Sequence, residues 1–101
     1  MKYTAIIPAR EGSKGIPGKN LKILCGKPLI QWTIEIAIKS TFIDKIIVST
    51  DSVLIAKIAK SLGAEVPFLR PKELSSDSSK IIDVISYYLN ELPKIDNFIL
   101  M

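Results

Sequence analysis

Tyr3-Thr4-Ala5-Ile6-Ile7, closed by Pro8, runs directly into Ala9-Arg10-Glu11-Gly12-Ser13-Lys14-Gly15-Ile16-Pro17-Gly18-Lys19-Asn20. The first stretch is short, apolar and rich in β-branched residues, which predicts a strand. The second is glycine-rich and basic, which predicts a loop. In open α/β sheets ligands bind at the carboxyl ends of the strands, where this loop starts. Glycines let backbone N–H groups approach an anion closely, and Arg10, Lys14 and Lys19 add charge and donors. The loop is not a Walker A motif. Gly12 and the Gly18-Lys19 pair are one residue too far apart, and Asn20 stands where Ser or Thr is required. A dinucleotide fingerprint is excluded too, because no G-x-G occurs. The residue types alone leave two readings open: a phosphate-binding loop, and a flexible basic loop with no ligand.

Outward from this segment, strand and helix alternate. Residues 9–27 read as loop, and Pro28 suits the first turn of a helix reaching to about Ser40. In that helix Gln31, Glu35 and Lys39 form one narrow polar stripe, so it is expected to be largely buried. Residues 45–50 read as a second strand whose continuous apolar centre fits coverage on both faces. Asp51 or Ser52 caps a following helix that Gly63 ends, and Glu65 to Leu69 is a short extended piece. Arg70 to Ser79 is polar loop, with Asp77 and Ser78 as candidate caps. Ile81 to Leu92 is an amphipathic helix stopped by Pro93, and Asp96 to Met101 opens another strand, expected to be central in the sheet. This order predicts a Rossmann-like α/β layer with a mainly parallel sheet. The sequence stops in or just after a core strand, which reads as a truncated domain.

Composition bounds the function. With 48% hydrophobic and 24% charged residues among 101, the chain is globular and one domain at most. No apolar segment approaches the ~20 residues of a membrane helix, and the single Cys25 suits a reducing, cytoplasmic setting. Histidine is absent, which removes histidine catalysis and histidine metal ligation within these residues. The net charge of +4 is localised: residues 1–27 hold six basic residues against Glu11 alone, and the remainder is nearly balanced. A nucleic-acid binder spreads its basic residues over a face with interleaved aromatics; a compact cluster fits a small polyanion better.

Ile6 to Gly15 with Lys19-Asn20-Leu21, then Gly26-Lys27-Pro28-Leu29-Ile30, Ile47-Val48-Ser49-Thr50-Asp51, Leu69-Arg70-Pro71, Glu73-Leu74 and Asp77-Ser78-Ser79, together resemble the acylneuraminate cytidylyltransferases, or CMP-sialic acid synthetases. The resemblance runs through the whole chain in order. It implies a fold of the nucleotide-diphosphosugar-transferase type, of which residues 1–101 are the N-terminal CTP-binding part. It implies transfer of CMP from CTP to a nonulosonic, sialic-type sugar acid, with release of pyrophosphate. Residue by residue, it implies that Arg10 and Lys19 are catalytic. Ala9, Arg10, Gly12, Ser13, Lys14, Asn20, Arg70 and Ser79 would bind CTP, the last two through the cytidine. One family contact falls on Ile81, which offers only its backbone. The resemblance also implies Mg²⁺ with ligands outside these residues, a homodimer when full length, and little activity of residues 1–101 alone. The rival from another class is a non-catalytic nucleotide-binding or assembly module. Asp51 reads better as a helix cap than as a site residue, Trp32, Tyr87 and Tyr88 as packing, and Cys25 as an incidental loop thiol.

Overall fold

The computed structural model describes residues 2–10, 19–75, 80–92, 95 and 97–101. In chain order its elements are β1 (Tyr3–Pro8), a 3-10 turn (Lys19–Leu21), β2 (Ile23–Leu24), β3 (Lys27–Pro28), α1 (Leu29–Lys39), β4 (Ile43–Ser49), α2 (Val53–Ser61), a second 3-10 turn (Lys72–Leu74), α3 (Ile81–Glu91) and β5 (Phe98–Leu100). No described helix is long and apolar enough to cross a membrane.

The main sheet has β1 in the middle, with β4 on one side and β5 on the other, all parallel. Ile6 pairs with both Ile47 and Leu100. A fourth chain segment touches the outer edge of β4 at one point, where Val48 N donates to Glu65 O at 2.9 Å and Glu65 N to Ile46 O at 2.8 Å. In sequence order the layer therefore reads third, second, first, fourth, and the direction of growth reverses at β1. Such a reversal opens a crevice at the carboxyl end of the strand where it occurs.

Alternation along the strands sends side chains to two cores. Ala5, Ile7, Ile46 and Val48 pack with Ile30, Ile34 and Ala37 of α1 and with Ile55, Ala56 and Ala59 of α2. Ile47 faces the other way, toward Val84 and Tyr88 of α3 and the partly buried Phe68 and Leu74. The sequence-derived α/β layer with covering helices is the observed fold.

Several local expectations need correction. Residues 9–27 are not continuous loop, because β2 and β3 form a small antiparallel hairpin. Its two-residue turn is Cys25-Gly26, with φ of 50° and 86°. Two consecutive positive φ angles suit the right-handed twist of a tight hairpin, and glycine takes one of them without strain. Cys25 thus has a backbone role beside its exposed thiol. Helix α1 is less buried than its narrow polar stripe predicts: Ile36 is 61% and Ile38 53% exposed, so only Ile30, Ile34 and Ala37 enter the core. Ser52, not Asp51, caps α2, its side chain accepting from Ile55 N at 3.2 Å. The cap position of α3 is Lys80, with no side-chain cap bond; the candidate caps Asp77 and Ser78 lie outside the described residues. Among the described residues β5 is an edge strand, and Phe98 to Met101 are exposed rather than covered on both faces.

Candidate active site at the carboxyl ends of the central strands

Ala9 and Arg10 leave β1 at the reversal crevice. Ala9 is buried and its N–H donates to Ser49 O at 2.8 Å, which ties the outgoing chain to the end of β4. Arg10 is half-buried, and its Nη1 donates to Ser75 O at 3.4 Å. After the glycine-rich loop the chain returns at Asn20, whose Nδ2 donates to Arg10 O at 3.1 Å. Asn20 therefore closes the base of the loop. Lys19 opens the 3-10 turn, and its side chain is outside what the structure describes. The predicted ligand residues Gly12, Ser13, Lys14 and Ser79 also lie outside the described residues.

Arg70 reaches the same place from the segment after α2. It is only 5% exposed, and its guanidinium is held at three points. Nε donates to Ser49 Oγ at 3.1 Å, Nη2 to Ser49 O at 2.9 Å and Nη1 to Leu74 O at 3.3 Å. Its backbone joins in, with Arg70 N donating to Thr50 O at 2.7 Å. Ser75 Oγ donates to Pro71 O at 2.8 Å and reaches Arg70 O at 3.4 Å. A buried planar fork with several acceptors suits arginine and not lysine. Burial pulls the Arg70 guanidinium below its ordinary value; the nearby Tyr88 and Asp51 favour its charge, and Arg10 opposes it.

The two arginines thus hang on successive carbonyls, Leu74 O and Ser75 O, of a single turn. Like charges held together in a partly desolvated crevice repel, and an anion bound between them relieves that repulsion. The fold has brought together Ala9, Arg10, Asn20 and Arg70, which stand far apart in sequence. Three residues of this frame escaped sequence reading: Ser49, Ser75 and Tyr88. The available signal was the polar Ser49-Thr50 ending of an otherwise apolar strand. A separate groove of about 200 Å³, lined by Lys45, Ile47, Glu65, Pro67, Leu92 and Ile95, includes none of these residues. It is mostly apolar and lacks convergent cations, so the chemistry favours the arginine crevice.

A family model described as Cytidylyltransferase matches residues 4–99. The chain belongs to the cytidylyltransferase family. Among curated relatives, the CMP-N,N'-diacetyllegionaminic acid synthase of Legionella pneumophila is 46% identical over 98 residues, which cover 97% of this chain and 42% of that protein. The N-acylneuraminate cytidylyltransferase of Escherichia coli O18:K1:H7 is 43% identical over 100 residues, or 99% of this chain and 24% of that protein. In fold, the chain superposes on a solved CMP:2-keto-3-deoxy-manno-octonic acid synthetase complexed with CTP. The TM-score is 0.80 at 27% identity, with 100% of this chain and 39% of that one covered. The cytidylyltransferase chain therefore spans less than half the length of these relatives.

Proposed function

We propose that residues 1–101 are the N-terminal CTP-binding part of a single cytidylyltransferase domain that transfers CMP from CTP to a nonulosonic, sialic-type sugar acid. The observation that carries this reading is the convergence of Arg10 and Arg70 on one turn, at the strand-order reversal, beside a glycine-rich loop. The similarity to synthases of CMP-activated sugar acids supports the substrate class.

In the reaction, the anomeric hydroxyl oxygen of the sugar acid attacks the α-phosphorus of CTP. The new P–O bond forms as the bond to the bridging oxygen breaks, and pyrophosphate leaves with the electron pair while the hydroxyl loses its proton. Negative charge grows on the phosphoryl oxygens and the leaving group, so catalysis is positioning plus electrostatic stabilisation. Arg10 meets that charge as a half-buried donor already oriented by Ser75 O. Lys19, Gly12, Ser13 and Lys14 would complete the phosphate cradle, with Ala9 supplying its buried backbone at the entrance. Arg70 and Ser79 would hold the cytidine, Arg70 through the two N–H groups that its three protein bonds leave over. Asn20 would set the loop against the nucleotide.

Mg²⁺ belongs to this reading as counter-ion of the triphosphate. Its ligands are expected outside residues 1–101. A cytoplasmic homodimer is the expected working form, with limited turnover by residues 1–101 alone. Pyrophosphate release by the complete gene product, supplied with a 2-keto sugar acid, Mg²⁺ and each of four nucleoside triphosphates, tests the proposal. CTP is the expected donor; preference for ATP, GTP or UTP contradicts it.

A further inference from the structure

The turn that joins the two arginines is fastened by a hydroxyl that the proposed chemistry does not use. After Arg70 the chain enters the 3-10 turn Lys72–Leu74, where Leu74 N donates to Pro71 O at 2.9 Å. So short a 3-10 turn has poor hydrogen-bond geometry and little to hold its shape. Ser75 follows at once. Its Oγ donates to the same Pro71 O at 2.8 Å and lies 3.4 Å from Arg70 O. A serine hydroxyl can reach back four residues to a carbonyl, and here it doubles the tie across the turn. Pro71 O has two lone pairs and takes both donors.

What hangs on the turn gives that tie its consequence. Leu74 O accepts from Arg70 Nη1 at 3.3 Å, and Ser75 O from Arg10 Nη1 at 3.4 Å. Both bonds lie at the long end of the hydrogen-bond range, where a small further displacement ends them. The two arginines are unequally sensitive to such a shift. Arg70 is also fixed to Ser49, at 3.1 Å to Oγ and 2.9 Å to the carbonyl, and Ser49 belongs to β4 rather than to the turn. Arg10 instead bonds to the carbonyl of Ser75 itself, so a movement of Ser75 passes to it directly.

We propose that Ser75 is a positioning residue for the transfer step: its hydroxyl locks residues 71–75, which holds the Ser75 carbonyl where it aims Arg10 at the reacting phosphate. The proposal rests on the reading of Arg10 as the donor that meets transition-state charge. Ser75 acts on the nucleotide through Arg10 and, more weakly, through Arg70. Because Arg70 keeps its anchors on Ser49, loosening the turn disturbs the transition-state contact more than ground-state binding of CTP.

Ser75→Ala deletes the hydroxyl, and Ser75→Thr keeps it. In the complete gene product, steady-state kinetics with CTP varied and thermal melting are measured for both variants, for Arg10→Ala and for the Arg10→Ala, Ser75→Ala double. Ser75→Ala is expected to lower kcat about threefold to tenfold, the range of one modest hydrogen bond, with KM for CTP within about twofold of wild type. Ser75→Thr should restore kcat to within about twofold, and both Ser75 variants should melt within about 4 °C of wild type. On the Arg10→Ala background the second substitution should change kcat by less than about twofold, because the side chain it acts through is already gone. Wild-type kcat in Ser75→Ala, a rise in KM alone, a larger fall in melting temperature, no rescue by threonine, or an undiminished loss on the Arg10→Ala background overturns the Ser75 assignment alone. Arg10→Ala with wild-type kcat overturns the reading of Arg10, and this assignment with it.

Discussion

Along β4 the side chains alternate between two environments that differ in kind. Ile46 and Val48 enter an aliphatic core closed by Ile30, Ile34, Ile55 and small alanines. Ile47 and Ser49 face the other way: Ile47 packs toward Tyr88, whose ring stacks with Phe68 and Tyr87, and Ser49 accepts from the buried Arg70. The first environment gains its stability from close packing and area removed from water. The second includes a desolvated cation and a bare phenol, both of which oppose folding. One strand thus has a face that holds the domain together and a face that holds a site, separated by a single-residue step.

Substitutions sharpen this division when ranked by expected effect. Ile34→Ala, at a fully buried position of the aliphatic face, should destabilise folding by about 2–5 kcal/mol in urea denaturation, with unchanged CTP affinity in the molecules that remain folded. A loss below about 1 kcal/mol would show a loosely packed face and erase the contrast. Arg10→Ala, on the site side, should do the reverse. In the complete gene product kcat should fall by about 10²–10³, equivalent to about 2.7–4 kcal/mol of transition-state stabilisation, with folding stability almost unchanged. A variant with wild-type kcat and only a higher KM for CTP would make Arg10 a uniform binding contact.

Much of this division was legible in the sequence. The apolar runs at 3–7 and 45–50, each followed by a helical period, specify a parallel sheet covered on two sides. Ala9, Arg10 and Asn20 announce a site through the glycines between them. Other features depend on contacts between distant residues and leave no local signal. Arg70 before Pro71 looks like a surface arginine until Ser49, 21 residues earlier, is seen to accept twice from it. Tyr88 sits at an apolar helical position and reads as packing, which it is, but the pattern does not reveal what lies beyond its ring. The Cys25-Gly26 hairpin was missed because its two-residue strands are too short to show alternation. In α1, Ile36 and Ile38 are apolar in sequence yet exposed; hydrophobicity identifies candidates for burial, and the sheet covers only the face that meets it.

Smaller effects probe how the helices are anchored. Ser52→Ala removes the cap of α2 and should cost about 1 kcal/mol in chemical denaturation, because the Ile55 N–H loses its acceptor in a buried place. A neutral result would mean that water or a neighbouring group replaces the cap. The smallest effect concerns Glu35, which accepts from Lys27 Nζ at 2.7 Å and Gln31 Nε2 at 3.0 Å. Lys27 first, then Gln31, holds its carboxyl below the usual carboxylate value, against a weaker opposing push from burial. The resulting stabilisation is complete above the ordinary value and fades as the pH falls through the lowered one. Glu35→Gln should therefore lower the urea midpoint slightly at pH 7 and make no difference once the pH is below the lowered value; high salt should shrink the gap at pH 7. A gap independent of pH would assign the effect to packing of the stem instead.

The location of the nucleotide decides between the arginine crevice and every other surface. Titration of the isotope-labelled protein with CTP, read through backbone amide resonances, should shift Ala9, Arg10, Asn20, Ser49 and Arg70 together. Lys45, Leu92 and Ile95, which line the apolar groove, should remain unmoved. Shifts centred on that groove, or none near Arg10 at CTP concentrations that saturate binding, would contradict a nucleotide site at the end of β1.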